Sequence, residues 1–200
     1  MKRLILFIAF IITVSLGWSQ KANNAKTILD KTSKALTSGS GVKANFKING
    51  KMGYYSGSIS VKGNKFTAST GNAIVWYDGK TQWTYMKKSQ EVNISNPTEA
   101  QQQAINPYKF INLYKSGYKL ELKTVGSDWE IHMTSQSGSR QIRELYVTVN
   151  KKYQLKKVKM KQSGGWTTIS VSNIQKTSIP NSHFRFNSKD YPNAEVVDLR

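Results

Sequence analysis

Side chains able to do chemistry are few in this chain. It has two histidines, His132 and His183, and no cysteine. His132 lies between Ile131 and Met133, so on a strand it points away from the apolar face as a surface residue. His183 falls in a loop or short turn. No ligand spacing links the two, which argues against a metal centre. Serine and aspartate are present, but no nucleophile-elbow motif frames a serine. Glu121 and Glu130 alternate with apolar residues on neighbouring strands. That places them on an outer face among lysines, as surface ion pairs rather than the carboxylate pair of a hydrolase. No glycine-rich phosphate loop occurs. Without cysteine there is no thiol catalysis, no Cys-ligated metal and no disulfide framework. The chain reads as a non-enzyme that needs no cofactor.

The richest local signal is aromatic instead. Ile74 to Tyr85 reads as two strands joined at Asp78-Gly79, a dipeptide suited to the positive φ angles of a hairpin turn. A third strand follows from Gln90 to Ser95. Trp76, Trp83 and Tyr85 are large and unreactive, so they suit a wall that holds something greasy. Ordinary core aromatics would look the same. Trp76 and Tyr77 are adjacent and must face opposite sides of the sheet. The expectation is Ile74 and Trp76 inside and Tyr77 outside.

The ends and the charge restrict the setting. Lys2 and Arg3 precede an apolar run from Leu4 to Leu16, and Gly17-Trp18-Ser19 offers small residues for cleavage. This is the pattern of a secretory signal peptide over residues 1–20, leaving one domain over 21–200. A membrane anchor is the competing reading, but the run is shorter than the roughly 20 residues a span needs. A domain of about 180 residues buries enough surface for one core without disulfides. The net charge is +19, and losing Lys2 and Arg3 leaves +17. Nucleic acid is the usual partner of such a charge. Here export argues against it, and the lysines alternate with apolar residues, as in Lys157-Val158-Lys159-Met160-Lys161. That alternation describes a solvated outer face of a strand. Attraction to an anionic membrane surface is the sharper alternative.

These residues need elements to position them. Ala22 to Thr37 has helical periodicity, with Ala25, Ile28, Leu29, Thr32, Ala35 and Leu36 on one face, and is stopped by Ser38 to Gly41. From Val42 onward the period is two, broken by turn residues at Asn49-Gly50, Gly126-Ser127-Asp128, Asn150-Lys151-Lys152 and Ser163-Gly164-Gly165. Roughly ten or eleven antiparallel strands in meander order follow. Between them, Pro97 to Lys115 reads as a broken helix, capped by Thr98 or Asn96 and interrupted at Asn106-Pro107. A sheet this long curls, and one face must be covered. The fold class is mainly β: a curved, unclosed antiparallel barrel with an N-terminal helix and a mid-chain helical insertion over an apolar cavity. The alternation puts Phe46, Ile48, Ile59, Val61, Leu120, Leu122, Ile131, Met133, Val147, Val158, Met160, Ile169 and Val171 inward. They are plain core if the sheet is filled, and cavity wall if it is open. Met133 and Met160 would suit variable packing. Ile105, Phe110 and Ile111 give the insertion its apolar face.

Tyr77 to Tyr85, with Glu91-Val92 after it, resembles the aspartate-glycine-lysine hairpin and following strand of the LolA family of periplasmic lipoprotein carriers. The Asn106-Pro107-Tyr108 break is similar to that family's helix junction. So is the end of the chain, with Phe184-Arg185-Phe186 before Val196-Val197-Asp198. The resemblance implies a lidded apolar cavity that shields lipoprotein or lipid acyl chains across the periplasm. It also implies an inner-membrane releasing transporter and an outer-membrane acceptor as partners, and a monomer. The family's lid-holding arginine has no counterpart, because Gly63 occupies its position in Val61-Lys62-Gly63-Asn64-Lys65. Lysines nearby do not replace a planar guanidinium. A lipid- or lipoprotein-sensing domain of the envelope is the alternative function.

Overall fold

The computed structural model describes residues 21–37, 39–51, 53–98, 101, 112–115, 117–162 and 164–200. The leader expected over residues 1–20 and the lid residues Ile105, Phe110 and Ile111 lie outside them.

The helical periodicity becomes helix α1, residues 21–36. Ala25, Ile28, Leu29 and Thr32 are buried at the spacing of one helix face. The Thr32 hydroxyl donates to the Ile28 carbonyl at 2.8 Å, so this polar group is satisfied within the helix.

The period-two segments become strands β1 (Val42–Gly50), β2 (Gly53–Lys62), β3 (Lys65–Thr70), β4 (Ala73–Tyr77), β5 (Gln82–Met86), β6 (Glu91–Ser95), β7 (Tyr118–Val125), β8 (Asp128–Ser135), β9 (Glu144–Val149), β10 (Leu155–Gln162), β11 (Gly165–Lys176) and β12 (Glu195–Asp198). They form one curved, unclosed sheet in the order β12-β6-β5-β4-β3-β2-β1-β11-β10-β9-β8-β7. This is two meanders, β1 to β6 and β7 to β11, rather than the single one expected. Antiparallel pairing of β1 with β11 joins them. β12 is the strand that went unforeseen. It pairs parallel to β6, with Val196 opposite Val92, so it follows no hairpin rule.

Cross-strand register defines the faces, since residues directly opposite each other share a side. Ile48 is opposite Ile169, which is opposite Val158, then Val147, then Ile131, then Leu122. That row faces α1. Ala25, Ile28 and Leu29 pack with Ile131, Met133, Leu145, Val147, Val149, Val158 and Met160 in one core cluster. Burying each such aliphatic side chain contributes about 1.5–3 kcal/mol. Where β2 crosses β1 and β3, the backbones approach so closely that a Cβ on Gly57 would collide with the Ser69 carbonyl oxygen. Only glycine fits there.

Thr98, one of the two expected cap residues, pairs with Gln101. Thr98 Oγ1 accepts from the Gln101 backbone N–H at 3.3 Å, and the Gln101 side chain accepts from the Thr98 N–H at 2.8 Å. This reciprocal pair is a capping box. Residues 102–111, which would carry the rest of the insertion, are not among those described.

Candidate functional site

Phe46, Ile48, Ile59, Val61, Leu120, Leu122, Ile131, Met133, Val147, Val158, Met160, Ile169 and Val171 all lie on the α1 side of the sheet by register. Their burial is uneven. Ile131, Met133 and Val147 are fully buried beneath α1. Ile48, Ile59, Leu120, Leu122, Ile169 and Val171 are only half-buried. The apolar face is therefore filled in the middle and incompletely covered around it.

One opening lies at the free side of β7. A pocket of about 650 Å3 separates Lys21, Ala22, Asn23 and Lys26 of α1 from the stretch Tyr118 to Lys123. Leu120 and Leu122 give it an apolar side, and four lysines (Lys21, Lys26, Lys119 and Lys123) flank it.

α1 is tied to the chain that returns from the insertion. The Tyr114 hydroxyl donates to Asp30 Oδ1, and the Ser33 hydroxyl donates to Asn112 Oδ1 at 3.2 Å. Burial first, then the Asp30 carboxylate, pushes the Tyr114 phenol well above its ordinary range, so it stays a donor. Gly63 has φ +59° at an exposed hairpin turn, with no atom within 4 Å of a Cβ placed there. A side chain at that position would reach solvent. The neighbouring Lys62 instead donates to the Ile179 carbonyl at 2.7 Å.

The aromatic residues require a correction. Tyr77 is opposite Phe66, which follows Val61 across the β2–β3 pairing, and these three pack with Leu36 of α1. Tyr77 is thus on the inner face. Ile74, Trp76, Trp83 and Tyr85 lie on the other face, with Trp76 opposite Trp83 and Ile74 opposite Tyr85. The expectation was reversed because both Trp76 and Tyr77 are buried, 7 % and 3 % exposed. The sheet is covered on both sides here. The second cover is the C-terminal segment from residue 177. Trp76 meets Phe186 and Tyr191 edge-on at 5.7 and 5.5 Å between ring centres, and Tyr85 meets Tyr191 at 4.6 Å. Phe184 and Ile179 in this segment are almost wholly buried. Polar contacts fasten it beside the Lys62 bond to Ile179. Thr67 Oγ1 donates to the His183 carbonyl at 2.7 Å, and Arg185 Nε donates to Asp78 Oδ2 at 3.0 Å.

Asp78 therefore does more than turn the hairpin. Its other oxygen accepts from the backbone N–H groups of Thr81 and Lys80 at 2.9 and 3.1 Å, closing the turn between β4 and β5. Burial works against the charged form. The turn N–H groups and the Arg185 guanidinium outweigh it and hold the carboxyl below its usual range. The Phe184, Phe186 and Tyr191 aromatics were the sequence clue to a second cover.

His132 is on the outer face, 2.9 Å from Glu144 Oε1 and stacked on Tyr146 at 4.3 Å. Glu121 pairs with Lys119 at 3.0 Å, and Glu130 is opposite Lys123. His183 sits in the short 3-10 turn Asn181–Phe184. Among the described residues no group of three or more His, Cys, Asp and Glu side chains could hold a metal ion, and no helix is long and apolar enough to cross a membrane.

A mainly β sheet, curved and unclosed, with one helix on its inner face is the architecture of LolA-like proteins. The profile of the outer membrane lipoprotein carrier protein LolA family matches residues 15–164, and the chain belongs to that family. Three solved structures show the range of likeness. An uncharacterized conserved protein from Thermus thermophilus is similar at 14% identity, with 88% of this chain and 99% of that chain covered and a TM-score of 0.61. An outer membrane lipoprotein-sorting protein domain from Vibrio parahaemolyticus is similar at 11% identity over 82% and 97%, with a TM-score of 0.46. MucA/MucB of Pseudomonas aeruginosa is similar at 12% over 83% and 62%, with a TM-score of 0.47. No curated protein matches the chain significantly.

Two outcomes follow from the outer cover. Trp76→Ala should release the C-terminal segment at a cost of about 3 kcal/mol. Limited proteolysis should then cut near Arg185 and Lys189 while the inner core remains protected. Resistance equal to the wild type would show that Trp76 does not hold it. The second outcome concerns His183, whose Nε2 is buried without a hydrogen-bond partner. Burial first, then the Lys43 charge, lowers it from its ordinary value of 6.5. Below that value the unfolded chain takes up a proton that the folded chain resists, so stability falls as pH falls. The urea midpoint should be level above about pH 6.5 and decline below it. His183→Gln should remove this decline, and an unchanged decline would assign it to another group.

Proposed function

We propose that this protein is an envelope carrier that shields acyl chains, of a lipoprotein or a related lipid, between α1 and the inner face of the sheet. The observation that carries the reading is the incomplete cover of that face. Leu120, Leu122, Ile169 and Val171 pack against the core yet stay partly open, and a pocket adjoins Leu120 and Leu122 at the side of β7. Its volume of about 650 Å3 lies within the range of roughly 300–1,000 Å3 usual for small-molecule sites. Acyl chains in water cost about 0.8 kcal/mol per methylene, so an apolar wall with no reactive group suffices for the task. Release demands a cover that can move. In this reading α1 and the mid-chain segment form that cover, with the Asp30–Tyr114 contact in the place of the family's arginine. Residues 105, 110 and 111 would complete the lid.

In this proposal the carrier works in the periplasm, a location that the family and the leader-like residues 1–20 support. An inner-membrane lipoprotein-releasing transporter would load it, and an outer-membrane acceptor would receive the cargo.

The test is to purify the protein from its native envelope and analyse the extracted material by mass spectrometry. Acylated protein or lipid should be recovered in near-stoichiometric amount. Leu122→Asp should lose it while circular dichroism stays unchanged. Protein that is empty and also fails to take up a triacylated peptide would refute the carrier. Binding without transfer to acceptor vesicles would support a sensing domain instead.

A further inference from the structure

The charge of this chain is unevenly placed. No Asp or Glu occurs between Asp30 and Asp78, nor between Glu144 and Asp190. The two stretches are far apart in sequence, but the pairing of β1 with β11 makes them neighbours. They contain β4, β3, β2, β1, β11 and β10, six consecutive strands of the sheet without a carboxylate. On the outer face of these strands stand Lys43 and Lys47 of β1 and Lys157, Lys159 and Lys161 of β10, all exposed. The lysines of β10 recur every second residue, about 7 Å apart along the strand. Small hydroxyl residues, Ser170 and Thr168, lie opposite them on β11. Among the described residues no salt bridge involves these five lysines. Glu144 borders the patch opposite Lys161, but its Oε1 is occupied by the Tyr146 hydroxyl and by His132.

At one end of this face two hairpins finish side by side. Gly50–Gly53 closes β1 on β2, and Gln162–Gly165 closes β10 on β11. A Cβ on Gly164 would lie 3.2 Å from the Lys51 side chain, so the two tips touch. They expose Tyr54 (60 %) and Trp166 (37 %). Lys159 and Lys161 lie 4.5 and 5.7 Å from the Trp166 ring. Like charges set this close on a sheet repel one another, and the Trp166 ring and the bordering Glu144 offset them only at the Lys159–Lys161 end. Their use is outward, as a field for a polyanionic surface. Exposed Trp and Tyr at the hairpin ends, with lysines beside the Trp, match the headgroup layer of a bilayer, where amphipathic rings and cationic side chains both reside. Single-stranded nucleic acid would call for a groove with stacking platforms, and a pair of hairpin tips is not a groove.

We propose that the joined β1–β2 and β10–β11 tips, with the lysine rows behind them, form a docking surface for an anionic phospholipid bilayer. The surface is on the face opposite α1, so it stands whether or not the inner face carries acyl chains. Docking is reversible, because the attraction is electrostatic and weakens as salt screens it.

The experiment is vesicle flotation of the mature chain with phosphatidylcholine alone and with phosphatidylglycerol added. The wild type should float only with the anionic vesicles and should detach at high salt. Lys157→Gln, Lys159→Gln and Lys161→Gln should each weaken binding, about fivefold per lysine. Tyr54→Ser with Trp166→Ser should abolish the blue shift of tryptophan fluorescence on vesicles. A control removing equal charge elsewhere, Lys80→Gln, Lys88→Gln and Lys189→Gln, should change affinity less than about twofold. Equal loss in the control would overturn the proposal in favour of net charge alone. So would absence of preference for anionic vesicles, or tighter binding to an oligonucleotide than to them.

Discussion

Everything in this molecule depends on the pairing of β1 with β11. It brings residues 42–49 beside residues 168–176 and fuses two local meanders into one sheet. Each meander alone is a row of hairpins with one apolar side and nothing to close it. Joined, they put Phe46 opposite Val171 and Ile48 opposite Ile169, so the inner apolar face runs unbroken across the join. α1 can then cover a surface that neither half would offer. The order of events carries a physical cost, since such a distant pairing must close a long loop before its contacts form.

The same join also gathers the charge. Separated in sequence, the acid-free stretches are unremarkable runs of strand with lysine on the polar side. Brought together, they make an outer face free of carboxylates across six strands, with exposed lysines on β1 and β10. The two faces of the sheet thus differ in kind. The inner one is apolar and needs cover, by α1 in the centre. The outer one is apolar only under the C-terminal segment, where Trp76, Tyr85, Phe186 and Tyr191 meet. On β1 and β10 it is cationic and open.

Much of this was legible in the residues, for reasons that can be named. The alternation from Val42 to Ile48 and from Lys157 to Lys161 is strict because one face is buried and the other solvated, so strand and face both follow. The helix face of Ala25, Ile28, Leu29 and Thr32 followed from its spacing. Trp76 and Tyr77 were misassigned because alternation says only that they differ in side. Parity carried through the two-residue turns from Val61 to Phe66 and on to Tyr77 would have settled it. β12 was missed because it is four residues long and adds in parallel to β6, so no turn announces it. The lysine patch was invisible along the chain because its halves lie on either side of the β1–β11 join.

The central claim is that the inner face, rather than the aromatic outer one, receives acyl chains. Photo-crosslinking reads this directly. A photoreactive residue placed at Leu122 should capture acylated cargo in the cell envelope, and the same residue at Trp83 should not. Capture at Trp83 with none at Leu122 would contradict the account.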